Sequence, residues 1–336
     1  MAAHLMTTQT ALPDPEEIRQ RWSDAREGAP SMATMNFLVY FENPEFRAWV
    51  VDRAQKIADK HPSRMIVLDA TPGNRGVSVH TVGEPGVAPR ERVDIGVDGV
   101  RAAERVHLVE SLCNADLPVV MWWAADRLFS SNTFQALLPK IDHAILDSSG
   151  SGSRDPDAVR EYANFFQREH GCAFRDLAWM RLEPWRDAVA QFFDDPALRE
   201  ELFSIRKLEI VSGSDAEALY LGGWLGSQLG WTACDPLTFC DRLDVKFSFE
   251  RSREGRVRFV KRIRLTTETS QYTADAEGDD AVGLEITGKN AQPVRHVPLQ
   301  FIDNAALIER GLLDRSHDEV FEKSLRLVGQ LLQTPQ

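Results

Sequence analysis

The chain has 336 residues, 43% of them apolar, and a formal net charge of −12. That length suggests two domains, and that composition is ample for buried cores. Basic side chains number 15 against 20 acidic ones in residues 1–150, and 24 against 31 in the remainder. Neither half therefore offers the positive surface that broad nucleic-acid or anionic-membrane binding requires. No stretch approaches the ~20 apolar residues of a membrane span, and the opening MAAHLMTTQTALPDPEE lacks a charged region followed by an apolar core. The expectation is a cytoplasmic protein without a nucleic-acid or membrane partner.

In chain order, Asp14-Pro15-Glu16-Glu17 carries the N-cap, N1 proline and N3 carboxylate of a helix start, and a short helix should run through Trp22 to Gly28-Ala29-Pro30. Met35 to Phe41 reads as a buried strand. A helix from Glu45 to Lys60 follows, with Phe46, Trp49, Val50, Ala54 and Ile57 on its apolar face, and Arg64 to Asp69 is the next strand. Val77–Val82 and Glu91–Val97 alternate, and are expected as an antiparallel excursion at a sheet edge. After a helix over Arg101–Cys113, the run PVVMWWAADRLFSSNTFQALLPKIDHAILDSS gives strand, helix and strand without interruption. Such a βαβ unit implies a parallel sheet with right-handed crossovers. It places Asp126, Asp147 and Ser148 just beyond strand carboxyl ends, where α/β sheets put their function.

Asp155-Pro156 starts a further helix, and Phe174 to Phe193 is aromatic at helical spacing, with Pro184 kinking it or dividing it in two. Arg206–Val211 reads as a strand and Ala216–Leu229 as a helix. Three alternating segments, Leu243–Glu250, Arg256–Thr266 and Ala281–Thr287, are expected to form an antiparallel sheet with a hairpin turn at Glu254-Gly255. Helices begin at Asn304 and Asp318. The fold class expected is α/β: an N-terminal tail and short helix (1–30), a Rossmann-like, mostly parallel domain (31–170), and an α+β domain with an antiparallel sheet (171–336).

Chemistry-bearing residues are sparse. Gly150 and Gly152 match the first two positions of GxGxxG, but Asp155 takes the third and Asp157 adds a second carboxylate, so the segment reads as a solvated loop or an anion site. Ser148 has no GxSxG elbow, and the eight histidines lack HxH or HExxH spacing. Asp69, Asp126 and Asp147 suit acid/base or magnesium chemistry, or simple helix capping. Cys113, Cys172, Cys234 and Cys240 show no CxxC spacing. They are expected as unremarkable thiols, with Cys234 and Cys240 the one pair close enough for redox chemistry.

Trp122 and Trp123 should point to opposite sheet faces and lie under helices. Trp179 and Trp185, with Arg181 and Arg186, read either as an interface hot spot or as packing. Gly222, Gly226 and Gly230, four apart, let their helix approach a sheet or a partner closely. Arg256, Arg258, Arg262 and Arg264 project to one strand face, a surface for an acidic partner or phosphorylated ligand unless Asp244 and Glu250 neutralise it.

Four segments taken together, MNFLVYF, LPVVMWWAAD with HAILDSS, DLAWMRLEPWR and YLGGWLGSQLGW, resemble the OpcA-type glucose-6-phosphate dehydrogenase assembly proteins of bacteria, in the family's order across roughly Met35 to Val328. The resemblance implies a non-catalytic accessory protein without a cofactor. It would bind glucose-6-phosphate dehydrogenase in a hetero-oligomer, promote the enzyme's active oligomer and support NADPH supply through the oxidative pentose phosphate pathway. In cyanobacterial relatives the activator is linked to thioredoxin through cysteines. The family offers no catalytic residues to carry over. The competing reading is a nucleotide- or sugar-phosphate-binding enzyme using the strand ends near Asp126 and Asp147.

Overall fold

A computed structural model of the chain describes residues 14–25, 32–82, 90–125, 128, 130–149, 156–167, 171–240, 244–251, 260–278, 280–300 and 302–333. Asp126, Arg256, Arg258, the Gly150 to Asp155 loop and the Glu254-Gly255 turn lie outside them. The elements run α1 (Pro15–Ala25), β1 (Asn36–Phe41), α2 (Arg47–Lys60), β2 (Arg64–Asp69), β3 (Val77–Val82), β4 (Arg90–Gly96), α3 (Ala102–Leu112), β5 (Val119–Trp123), α4 (Asn132–Leu137) and β6 (His143–Leu146). Then come α5 (Pro156–Phe165), β7 (Ala173–Asp176), α6 (Leu177–Arg181), α7 (Glu183–Ala190), β8 (Lys207–Ser212), α8 (Asp215–Leu229), β9 (Thr232–Asp235), β10 (Thr238–Cys240) and β11 (Asp244–Arg251). The last are β12 (Val260–Thr266), β13 (Ser270–Glu277), β14 (Ala281–Gly288), β15 (Gln292–Pro298), α9 (Asn304–Leu313) and α10 (Glu319–Leu331). The chain divides into two units, one comprising 1–147, 171–175 and 308–316, the other 148–170, 176–307 and 317–336.

This division differs from a single junction near residue 170. The strand β7 joins the first sheet beside β6, and residues 308–316 also belong to the first unit. Helix α1 packs within this unit: Ile18 and Trp22 are buried, and the Arg64 guanidinium lies 4.3 Å from the Trp22 ring centre.

The first unit holds a seven-stranded sheet of order β3-β4-β2-β1-β5-β6-β7. Strand β1 is parallel to β2 on one side and to β5 on the other, with Phe41 opposite Asp69 and Tyr40 opposite Trp123. Apart from Asn36 and His143 at their starts, strands β1, β5 and β6 are apolar through both faces, as a sheet covered by helices on each side requires. Trp122 and Trp123 do point to opposite faces: Trp122 meets Trp49 of α2 edge-on at 5.8 Å, and Trp123 meets Phe134 of α4 at 5.2 Å. Strand β3 is an antiparallel edge, and β4 is the inner strand parallel to β2. The alternation in β4 comes from an internal ion pair, since Arg92 clasps Asp94 with Nε at 2.6 Å and also reaches Gln55 of α2. His143 is buried, its Nε2 2.9 Å from the Gly311 carbonyl, and burial reinforced by the Arg175 charge pushes the imidazole down to about 4.

The second unit holds an eight-stranded sheet of order β15-β14-β13-β12-β8-β11-β10-β9. It is mixed, because β8 and β11 are parallel, and β8 lies between β11 and β12, which are therefore not a hairpin. Helix α8 packs on this sheet through its glycines. A Cβ on Gly222 would sit 2.7 Å from the Phe247 ring, and one on Gly223 would sit 2.6 Å from the Ser324 carbonyl of α10. Gly230 ends the helix in the left-handed conformation, φ +71°. Tyr162, Phe166, Trp179, Tyr220 and Phe321 form one aromatic cluster among α5, α6, α8 and α10.

The cysteines depart from expectation. Cys234 and Cys240 form a disulfide across the β9–β10 hairpin, Cα to Cα 5.8 Å, because antiparallel pairing brings together residues six apart. Leu237 in this turn has φ +53°, a conformation that costs a non-glycine residue about 1–2 kcal/mol. Burial pushes the remaining thiols up, Cys113 to about 11 and Cys172 to about 12.

Two measurements check this architecture. Trp122→Ala is expected to lower unfolding free energy by about 3–5 kcal/mol in urea titration, whereas a loss below about 1 kcal/mol would place the ring outside the core. Protein purified without reductant and then denatured should show only the thiols of Cys113 and Cys172 to a thiol reagent, with the other two appearing after reduction; all four reacting at the outset would contradict the disulfide.

Candidate functional site

The order β4-β2-β1-β5-β6 reproduces the doubly wound arrangement in which strand order reverses between the first and fourth parallel strands. Here the reversal falls between β1 and β5, and the crevice beyond their carboxyl ends is where such a sheet receives a ligand. Dinucleotide folds supply three features there: a glycine-rich turn after the first strand, a helix N-terminus for the pyrophosphate, and an acid at the end of the second strand for the ribose.

The turn after β1 reads Glu42-Asn43-Pro44-Glu45-Phe46, with no glycine. Two carboxylates stand where phosphate would approach, and the Asn43 side chain accepts from the Glu45 N–H at 2.9 Å. Asp69 does end β2, in the ribose position, yet it is buried and occupied. Arg47 Nε of α2 donates to its Oδ2 at 2.6 Å, and the Thr71 N–H donates to Oδ1 at 3.0 Å. Asp69 thus closes a turn and an ion pair rather than capping a helix.

The crevice floor is filled as well. Tyr40 stacks on Trp123 at 4.1 Å with planes 9° apart. Arg105 of α3 donates to Tyr40 Oη at 3.1 Å, to Thr133 Oγ1 at 2.8 Å and to the Val97 carbonyl at 2.8 Å. Burial raises the Tyr40 phenol above its ordinary value against the opposing pull of Arg105, so it stays protonated at neutral pH. Asp147, at the end of β6, is half-buried.

In the second unit, Ser148 belongs to a buried network. Tyr220 Oη lies 2.8 Å from Ser148 Oγ and 3.1 Å from Asp176 Oδ2, and the Ser148 N–H donates to Asp176 Oδ1. The expected contact residues are here too. Trp179 and Trp185 are buried, and Trp179 Nε1 donates to Asp318 at 2.9 Å. Arg181 is buried against Glu217, with Nε to Oε1 3.2 Å, and donates also to Asn304 and Ser149. Arg186 lies over the Trp179 ring at 3.8 Å. These groups of the DLAWMRLEPWR block are thus bonded or stacked within the second unit. Arg181, Glu217, Pro184 and Trp185 border a concavity of about 400 Å³ counted out to solvent.

Arg262 and Arg264 lie on one sheet face, and an acid on a neighbouring strand meets Arg262. Arg262 Nε reaches Asp275 at 2.9 Å, and Arg264 stands in register opposite Glu209. The acid that pairs with Arg262 is on β13, not on the strand carrying Asp244 and Glu250. Among the described residues, the group spaced for a metal is Cys234, Cys240 and Asp244, and the disulfide removes both thiolates from it. No described helix is long and apolar enough to cross a membrane.

Residues 54–164 match the family described as glucose-6-phosphate dehydrogenase subunit N-terminal domain, and residues 172–325 match its C-terminal domain counterpart. The OxPP cycle protein OpcA of Synechocystis sp. is 34% identical over 134 residues, covering 39% of this chain and 28% of that protein. Its namesake from Nostoc punctiforme is 29% identical over 189 residues, covering 53% of this chain and 40% of that protein. The alignments therefore span less than half the length of these curated relatives. Among solved structures, a levoglucosan dehydrogenase in complex with NADH aligns over 88% of this chain and 97% of its own at 9% identity and a TM-score of 0.49. A 3-ketoreductase from Actinomadura kijaniata aligns over 88% and 96% at 10% identity and a TM-score of 0.48. Neither likeness carries a conclusion about ligand or reaction. With both matched domains in order along the sequence, the chain belongs to the OpcA-type family of glucose-6-phosphate dehydrogenase assembly proteins.

Proposed function

We propose that this chain works by binding rather than by catalysis: it associates with glucose-6-phosphate dehydrogenase, favours that enzyme's active oligomer and raises its activity, in support of NADPH production. The observation that carries this reading is the pair of family matches over residues 54–164 and 172–325, both described as parts of a glucose-6-phosphate dehydrogenase subunit. The residues of the first β–α turn support the non-catalytic part. Strand order there is that of a dinucleotide fold, which is the one feature favouring a nucleotide- or sugar-phosphate-binding enzyme. Its ribose acid is committed to Arg47, its glycine turn is replaced by Glu42 to Glu45, and its floor is filled by Tyr40 and Trp123.

Activation by binding requires tighter affinity for the active state of the enzyme than for the inactive one. A typical coupling of about 1–3 kcal/mol corresponds to a change of about 5- to 150-fold in the enzyme's substrate affinity or active fraction. Titrating the chain into the dehydrogenase of the same organism is expected to change its rate or substrate response within that range, and native mass spectrometry should display a hetero-complex. Absence of both over a wide concentration range would remove the proposal.

A further inference from the structure

The turn between β1 and α2 has an unusual surface. From Pro44 to Trp49 every residue is exposed, and two of them are large aromatics, Phe46 at 43% and Trp49 at 39%. Three apart at the start of a helix, they lie on neighbouring positions of one side. Trp49 is backed by the buried Trp122 edge-on at 5.8 Å, so its ring is held in place before any partner arrives. Single exposed apolar side chains are ordinary. Two rings on one turn, at the crevice where α/β sheets recruit ligands, are not.

Both signs of charge flank these rings, but the cation is already engaged. Arg47, between them, gives its Nε to Asp69 at 2.6 Å. Glu42 and Glu45 have no basic partner within ion-pair distance among the described residues. The turn therefore offers two ring faces beside two uncompensated carboxylates, a combination complementary to a cation on an apolar stem. The same chemistry recurs inside this chain, where Arg186 stacks on Trp179 at 3.8 Å and Arg64 on Trp22 at 4.3 Å.

We propose that the Glu42–Trp49 turn is a docking surface for a protein segment that presents an arginine or lysine flanked by apolar residues. The cation lies over the Trp49 or Phe46 ring and bonds a Glu42 or Glu45 carboxylate, while the flanking residues cover the second ring. Arginine fits better than lysine, because its planar fork stacks and binds a carboxylate at once. A turn that in dinucleotide folds attracts an anion is here built to attract a cation. The proposal rests on the reading that the chain binds glucose-6-phosphate dehydrogenase, which is taken as the source of the segment.

Calorimetric binding of the dehydrogenase to the full chain, and to its Phe46→Ala, Glu45→Lys and Trp49→Ala variants, tests it. Phe46→Ala and Glu45→Lys decide the matter, since both side chains are exposed and circular dichroism should show unchanged folding and melting. Trp49→Ala also loses its contact with Trp122 and is read only after that control. The expected result is affinity at least about ten-fold weaker in each deciding variant, with wild-type affinity falling as salt rises. Wild-type binding with both variants within about two-fold of it would overturn the docking surface while leaving the accessory role standing. Weakening by Glu45→Lys alone would reduce the turn to long-range steering and overturn the aromatic contact. If the wild-type chain does not bind at all, the accessory role falls and this inference with it.

Discussion

The first unit depends on the side-by-side pairing of β1 with β5. In a doubly wound sheet this is the place where the crossovers diverge and a crevice opens, and a protein must either fill it with a ligand or close it with side chains. This chain closes it. Tyr40 from β1 lies flat on Trp123 from β5, Arg105 ties that stack to Thr133 and Val97, and Trp49 backs against Trp122 on the opposite face. Each large aromatic buries an amount of surface that dominates its local energetics. These contacts pack the β1–β5 pair on both faces, and Asp69 at the end of β2 is bonded to Arg47 and Thr71.

The second unit solves a different problem, that of burying charge. Arg181 and Glu217 lie in its interior with little access to water, and such a pair is tolerated only when the remaining hydrogen-bonding capacity is met. Asn304 and Ser149 meet it. Nearby, Asp176 receives two backbone N–H groups, from Ser148 and Ala178. Gly222 and Gly223 let α8 come close enough to the sheet and to α10 for the aromatic cluster to pack. Removing one member would leave the others desolvated without partners, so this network is specific in a way an apolar core is not.

Much of this was legible in the sequence, and what was missed has physical causes. MNFLVYF and PVVMWW read as buried strands because strands covered on both faces need continuous apolar runs. Ala173 to Asp176 was missed because two of its four buried residues, Arg175 and Asp176, are charged, and because the aromatics that follow impose a helical period. Ser270–Glu277 and Gln292–Pro298 have polar or alanine-rich strands that carry little apolar signal. The disulfide joins residues across a hairpin, a spacing that short cysteine motifs do not encode. Trp179 and Arg186 have the composition of an interface and are spent on each other. The candidate turn at Glu42–Trp49 carried its own signal, a first strand followed by no glycine. The glycines that resemble a phosphate loop, Gly150 and Gly152, follow β6 instead of β1.

The strand-order reversal between β1 and β5 is lined by the chain's own paired side chains and is expected not to receive a dinucleotide. Isothermal titration of the full chain with NADP and with NAD up to millimolar concentration tests it most directly. The expected result is no saturable heat with either nucleotide. Saturable one-to-one binding that is altered by Arg47→Ala would contradict it, because that arginine holds Asp69 away from a ribose.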